Sequence, residues 1–265
     1  MRILLAEDNK VNQQFATILL RKAGYEVDTA NNGVQAVEAV KREDYDLVLM
    51  DVQMPELDGE QATHQIRALD APKCNIQIIA LTAHAMVGAR EQYIAAGMND
   101  YVSKPIRPDI LLSKLAAIAR DLPVRDAPVM EEASSLPVQR MDIDRERLTT
   151  LSSILSNAEM SEFLEAYLAN VAGRMTQMKV CIDGADFSGV AREAHTVIST
   201  AGNAGAVRVS ELARAIEERA KESDTVTIGH LYAEIEKASV AASAALRAWL
   251  DSRVSASVQL AVGGI

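Results

Sequence analysis

Glu7 and Asp8 stand side by side near the amino terminus, and Asp51, Thr82 and Lys104 follow at wide intervals. Two adjacent carboxylates with a third brought alongside make a hard, oxygen-rich site suited to Mg²⁺, which takes one or two carboxylates and keeps waters and a phosphate oxygen. Thr82 adds a hydroxyl donor, and Lys104, before Pro105, adds a mobile point charge. A carboxylate nucleophile, a divalent cation and an ammonium group around one point are the requirements of phosphoryl transfer. Much further along, His195 lies in a helical stretch whose following turns are crowded with small residues. Neutral imidazole is a competent nucleophile toward an acyl phosphate. Each residue also has a plain structural use: Asp8 before Asn9 could cap a helix, and a lone helical histidine is most often a packing residue.

The elements that must position these groups come in two kinds. Short apolar runs at Arg2–Ala6, Tyr25–Thr29, Leu47–Met50, Ile76–Leu81 and Tyr101–Ser103 read as strands. Helical periods such as Val11, Phe15, Ile18 and Leu19, or Val34, Val37 and Val40, separate them. The runs at 47–50 and 76–81 are almost wholly apolar, as strands covered on both faces must be. Five β/α units over residues 1–120 predict an α/β doubly wound, five-stranded parallel sheet of the flavodoxin-like kind, with its site at the carboxyl ends of the strands. The five polar groups all follow strands.

Residues 121–141 hold three prolines, several acids and a Ser-Ser pair, and read as a linker. From 142 to 253 the pattern is helical throughout. Phe163, Leu164, Tyr167, Leu168, Val171, Met175 and Met178 mark one face, and Val190, Ala194, Val197 and Ala201 a second. Val209, Leu212, Ala213 and Ile216 mark a third face; Leu231, Ile235, Ala242, Leu246, Trp249 and Leu250 mark the last. Gly184 and Gly229 are expected at or near breaks. A short helix followed by four more predicts an all-α, up-and-down helical bundle. Residues 254–265 form a small, apolar tail.

Composition narrows the function. The chain of 265 residues is 49% hydrophobic and 24% charged, with a net charge of -10. That balance argues against nucleic acid as a partner, which calls for a basic stripe. The two cysteines, Cys74 and Cys181, show no metal-ligand spacing and read as reduced thiols. No run approaches the ~20 apolar residues of a membrane span, so the expected location is cytoplasmic.

Four segments carry a resemblance. Ile3-Leu4-Leu5-Ala6-Glu7-Asp8-Asn9, Leu47 to Pro55 with Asp58-Gly59, Ala80-Leu81-Thr82-Ala83, and Tyr101-Val102-Ser103-Lys104-Pro105 resemble response-regulator receiver domains over residues 1–120. The resemblance implies Mg²⁺ held by Glu7, Asp8, Asp51 and the Gln53 carbonyl. It implies a phosphoryl group on Asp51 contacted by Lys104, Thr82 and the Ala83 amide. It makes Thr82 and Tyr101 a switch, and the Lys104–Pro105 bond cis. Ala191 to Ala206, with Glu162 to Tyr167, resembles the histidine-containing phosphotransfer (HPt) domain over about residues 142–250, with His195 as the phosphorylated residue. The family commonly has Lys three places after the histidine and Gly at the fourth; here Ile198 and Ser199 stand there, and Arg192 is the expected substitute cation.

The implied function is phosphorelay signalling, by a standalone protein or the C-terminal part of a hybrid sensor histidine kinase. Its partners would be a histidine kinase or other phosphodonor and the receiver domain of a downstream response regulator. No ATP-binding Gly-rich motif is present, so the chain is not itself the kinase, although a receiver assists its own phosphorylation and dephosphorylation. The alternative is a receiver joined to an inactive docking or dimerisation module, favoured by an apolar Ile198 on the presumed docking face.

Overall fold

A computed structural model describes residues 1–83, 89–120 and 142–262, with side chains for 1–83, 90–120 and 142–253. The chain divides into two compact units, Met1–Ser134 and Ser135–Ile265. The predicted linker 121–141 lies outside the described residues.

The first unit runs β1 (Arg2–Ala6), α1 (Lys10–Lys22), β2 (Glu26–Ala30), α2 (Gly33–Arg42), β3 (Leu47–Asp51), α3 (Gly59–Arg67), β4 (Gln77–Thr82), α4 (Ala89–Ala95), β5 (Asp100–Ser103) and α5 (Pro108–Ala119). The strands form one parallel sheet in the order β2-β1-β3-β4-β5. Every residue of β3 is buried, as is every residue of β4 after Gln77. Each fully buried Leu or Ile there contributes roughly 1.5–3 kcal/mol of transfer free energy. Strand β2 begins one residue later than the apolar run suggested, because Tyr25 closes the α1 turn by donating its amide to the Leu20 carbonyl.

At the amino-terminal edge of the sheet a single side chain ties two loops together. The Arg67 guanidinium donates to the Cys74 and Ile76 carbonyls, at 2.8 and 2.7 Å, and to the Gly97 carbonyl and Asn99 Oδ1, each at 2.8 Å. Asn99 in turn exchanges two bonds with the Ile78 backbone.

The second unit is the predicted short helix plus four: α6 (Arg145–Ile154), α7 (Asn157–Asp183), α8 (Phe187–Asn203), α9 (Val207–Lys221) and α10 (Thr225–Val262). Helices α7, α8, α9 and α10 pack each against the next, and α10 packs back on α7, closing a four-helix bundle. A Ser156–Glu159 capping box starts α7, and Asp186 caps α8 through the Gly189 amide. The predicted faces of α7, α8 and α9 are buried except for Leu168, which is half-buried. On α10, Ile235, Ala242 and Leu246 are buried, whereas Leu231, Trp249 and Leu250 are half-buried. Tyr232, outside the predicted face, is buried and donates its hydroxyl to the Met175 carbonyl at 2.9 Å.

The breaks differ in detail from expectation. Gly184 does end α7, but the left-handed residue there is Ala185, with φ 54°. Gly229 lies inside α10; the preceding turn is made by Ser223, with φ 57°. The backbone of residues 254–262 continues α10. Among the described residues no helix is long and apolar enough to cross a membrane.

Candidate functional site

Parallel pairing brings the first site together. Ala6 pairs with Met50, Asp51 with Leu81 and Thr82 with Ser103, so the carboxyl ends of β1, β3, β4 and β5 lie abreast. Asp51 is the last residue of β3, Thr82 the last of β4; Glu7 and Lys104 directly follow β1 and β5. The loop after β3 folds back sharply, with the Gly59 amide donating to the Val52 carbonyl. A Cβ at Gly59 would lie 2.2 Å from the Asp51 carbonyl oxygen, so this close approach requires glycine.

Lys104 is buried between two carboxylates. Its Nζ donates to Asp51 Oδ2 at 2.6 Å and to Glu7 Oε2 at 2.7 Å. The other Glu7 oxygen accepts from Asn12 Nδ2 at 3.1 Å and from the Asn9 amide at 3.3 Å. Asn9, not Asp8, caps α1, accepting from the Val11 and Asn12 amides. Asp8 joins the cluster: one oxygen each from Glu7, Asp8 and Asp51 lie within 4.8 Å of one another. Three carboxylates facing one ammonium group leave an excess of two negative charges, and this donor set fits a hard divalent cation. Burial pushes the Asp51 carboxyl well above the usual range; Lys104 pulls it down, while Glu7 and Asp8 push it up. Burial opposes the Lys104 charge, but the two carboxylates outweigh it and hold the pKa above the ordinary lysine range.

The remaining residues of this group sit around the cluster. Gln53 is exposed, and its amide donates to Asp51 Oδ1 at 3.2 Å. Ala83 is buried directly after Thr82. The Lys104–Pro105 peptide is cis. Thr82 Oγ1 lies 2.7 Å from the Tyr93 hydroxyl of α4, and the Tyr93 ring is 6.3 Å from that of Tyr101, which is half-buried. Tyr93 was not anticipated: its hydroxyl meets Thr82 only once α4 has packed.

The second site is on α8. His195 is 8% exposed, more enclosed than a partly exposed surface histidine. Its Nδ1 lies 3.2 Å from Glu217 Oε1 on α9, and the same oxygen lies 3.5 Å from Lys221 Nζ. A carboxylate at Nδ1 places the ring proton there and the lone pair on Nε2. One turn away, the Ser210 hydroxyl donates to the Ile198 carbonyl at 2.8 Å, so α9 grips α8 at two levels.

Two expectations need correction. Ile198 is 0% exposed, because its position turns into the bundle with Val197 and Ala201; it is core, not an apolar residue on a docking face. Arg192 does not serve the imidazole in this structure. Its Nε lies 3.9 Å from Glu193 Oε1, and Glu193 is also bound by Arg174 at 3.0 Å.

Comparison with known proteins agrees with both halves. Residues 3–116 match the response regulator receiver domain and residues 162–256 the Hpt domain. The sensor protein GacS of Pseudomonas syringae pv. syringae is 47% identical over 107 residues, 40% of this chain and 12% of that protein. The signal transduction histidine-protein kinase BarA of Escherichia coli (strain K12) is 28% identical over 222 residues, 83% of this chain and 24% of that protein. The solved receiver domain of sensor histidine kinase PA1611 from Pseudomonas aeruginosa PAO1 is 44% identical, covering 45% of this chain and 94% of that one at a TM-score of 0.40. The chain spans a quarter or less of the length of the curated relatives it matches, from 6% to 24%. The chain therefore carries a response regulator receiver domain at residues 3–116 followed by an Hpt domain at residues 162–256, the pair of modules used in two-component phosphorelay signalling.

Proposed function

We propose that Asp51 takes a phosphoryl group and that His195 passes a phosphoryl group to or from a receiver aspartate. The observation that carries the first half is Lys104 held between Asp51 and Glu7 at 2.6 and 2.7 Å, beside a three-carboxylate cluster. Asp51 attacks the donor phosphorus; the new P–O bond forms as the bond to the donor breaks. Lys104 follows the phosphoryl oxygens, and Thr82 and the Ala83 amide donate to them. Tyr101 responds to the Thr82 movement. Glu7, Asp8, Asp51 and the Gln53 carbonyl would hold Mg²⁺, which when bound neutralises charge on the transferring phosphoryl oxygens. Glu7 is kept in place by Asn12 while Lys104 swings.

In the bundle, Nε2 of His195 attacks the phosphorus of an aspartyl phosphate. The N–P bond forms, the P–O bond breaks, and the carboxylate departs with the bonding pair. The Nδ1 proton stays, so the ring ends positively charged, and Glu217 offsets that charge. The docking-module alternative loses its support with Ile198 in the core.

Residues 1–120 and 142–253 are then two relay stations, with 121–141 as the linker and 254–265 as a tail. We place them in the cytoplasm, where Cys74 and Cys181, both free, stay reduced. A histidine kinase supplies the phosphoryl group and a downstream receiver domain takes it. Labelling the full chain from radioactive acetyl phosphate with Mg²⁺ tests Asp51: the label is base-labile and Asp51→Asn removes it. Labelling of the Asp51→Asn protein by a phosphorylated receiver tests His195: the label is acid-labile and His195→Gln removes it. Persistence of either label in its variant refutes that assignment.

A further inference from the structure

The Hpt half lacks a lysine where the family resemblance expects one, and the structure explains why position 198 has no use for it. Ile198 is fully buried, and a cation there would have to enter the core of the bundle. A phosphoryl group on His195 nevertheless needs a counter-charge, the more so because Glu217 places a carboxylate 3.2 Å from the ring and is itself only 3% exposed in its side chain. Without a cation, the phosphoryl oxygens and Glu217 would repel each other across the imidazole.

Lys221 is placed to resolve this. It lies one helical turn after Glu217 on α9, its Nζ is 3.5 Å from the carboxylate oxygen that holds His195, and its side chain is 54% exposed. The carboxylate is therefore shared between the imidazole and an ammonium group that reaches it from solvent. A long, flexible lysine whose side chain is half exposed can change partners without repacking the bundle. Arg192, one turn before His195 on α8, lies against Glu193, which Arg174 also binds.

Building on the reading of His195 as the phosphotransfer histidine, we propose that Lys221 supplies the phosphoryl-contacting cation from α9, in place of the absent lysine on α8, with Glu217 as the positioning residue that holds both. As Nε2 bonds to phosphorus and the aspartate leaves, the ring becomes cationic and draws Glu217. The Lys221 ammonium is then released toward the phosphoryl oxygens. The exchange moves no proton and needs no co-reactant.

The test uses the full chain twice. The donor is the His195→Gln protein labelled on Asp51 by radioactive acetyl phosphate and Mg²⁺; the acceptor carries Asp51→Asn, so that only His195 takes label. Against this acceptor, Lys221→Ala should slow transfer at saturating donor by roughly three- to tenfold with little change in KM. Lys221→Arg should restore most of the rate, and the defect should shrink at high salt, because an exposed cation is screened. Lys179→Ala, at an exposed lysine paired with Asp183, is the surface control and should match the parent acceptor. Glu217→Gln should slow transfer and displace the pH profile of His195 labelling, which loss of a merely structural contact would leave in place. An acceptor labelled at the same rate with and without Lys221 overturns the inference while leaving the His195 reading intact. So does a defect that appears in Arg192→Ala and not in Lys221→Ala. An acceptor that takes no acid-labile label at all overturns the underlying reading and this inference with it.

Discussion

Removing the Asp51 charge should make the receiver unit more stable when no divalent cation is present. At an effective dielectric of about 20, Lys104 at 2.6 Å attracts the Asp51 charge by roughly 6 kcal/mol. Glu7 and Asp8 lie within 4.8 Å, and each repels it by about 3.5 kcal/mol or more. Attraction and repulsion nearly cancel, which leaves the cost of burying a carboxylate that is 2% exposed. In Asp51→Asn, Lys104 keeps its bond to Glu7, and the amide oxygen can still accept from the Gln53 amide. We expect the variant to gain about 1–2 kcal/mol in EDTA, or about 4–8 °C in the receiver transition. Calorimetry of the full chain, wild type against variant in EDTA, reads this shift. With Mg²⁺ at a hundred times its dissociation constant, the wild type gains about 2.7 kcal/mol by linkage, and the variant, short of one ligand, gains less. A variant that melts below wild type in EDTA would falsify the reasoning, because the Asp51 charge would then be a net contributor to the fold.

Three other changes probe separate links. Lys104→Met should leave Mg²⁺ titratable by isothermal calorimetry but remove the amide NMR response to beryllofluoride around Tyr101; a wild-type response would exclude Lys104 as the anchor. Tyr93→Phe deletes only the hydroxyl bonded to Thr82. If that bond holds Thr82 in its resting position, beryllofluoride should bind up to about fivefold tighter, the equivalent of one neutral hydrogen bond of about 1 kcal/mol; unchanged or weaker binding removes the idea. Ile198→Lys should not rescue phosphotransfer: with a fully buried site receiving an ammonium group, the bundle transition should fall by about 2 kcal/mol or more, and a variant as stable as wild type would place the side chain elsewhere.

The receiver site was legible because its logic is one-dimensional. In a parallel sheet, residues that follow apolar runs must come together at one edge, so Glu7, Asp51, Thr82 and Lys104 could be grouped from their order along the chain. The supporting partners could not. Asn12 reaches Glu7 from the first turns of α1, and Tyr93 reaches Thr82 from α4, and both contacts depend on how a helix is rolled against the sheet. The same limit explains the bundle. Helical period located the buried faces of α7, α8 and α9, but it assigns a phase and not a neighbour. Ile198 was therefore turned outward, the cation was sought on α8 at Arg192, and Glu217 and Lys221 went unnoticed on α9. One signal was available: Glu217 and Lys221 are spaced four apart, the spacing that pairs charges on one helical face.

The Arg67 guanidinium gives the receiver a fixed end. By gathering carbonyls from the loops before β4 and before β5, it makes their starting points one body, and through Gly97 it fastens the turn that closes α4. The opposite ends of those strands carry Thr82 and Lys104. Any displacement that begins at the carboxylate cluster must therefore swing about the Arg67 knot, as a lever swings about its pivot, and α4 should travel furthest where it starts and least where it ends.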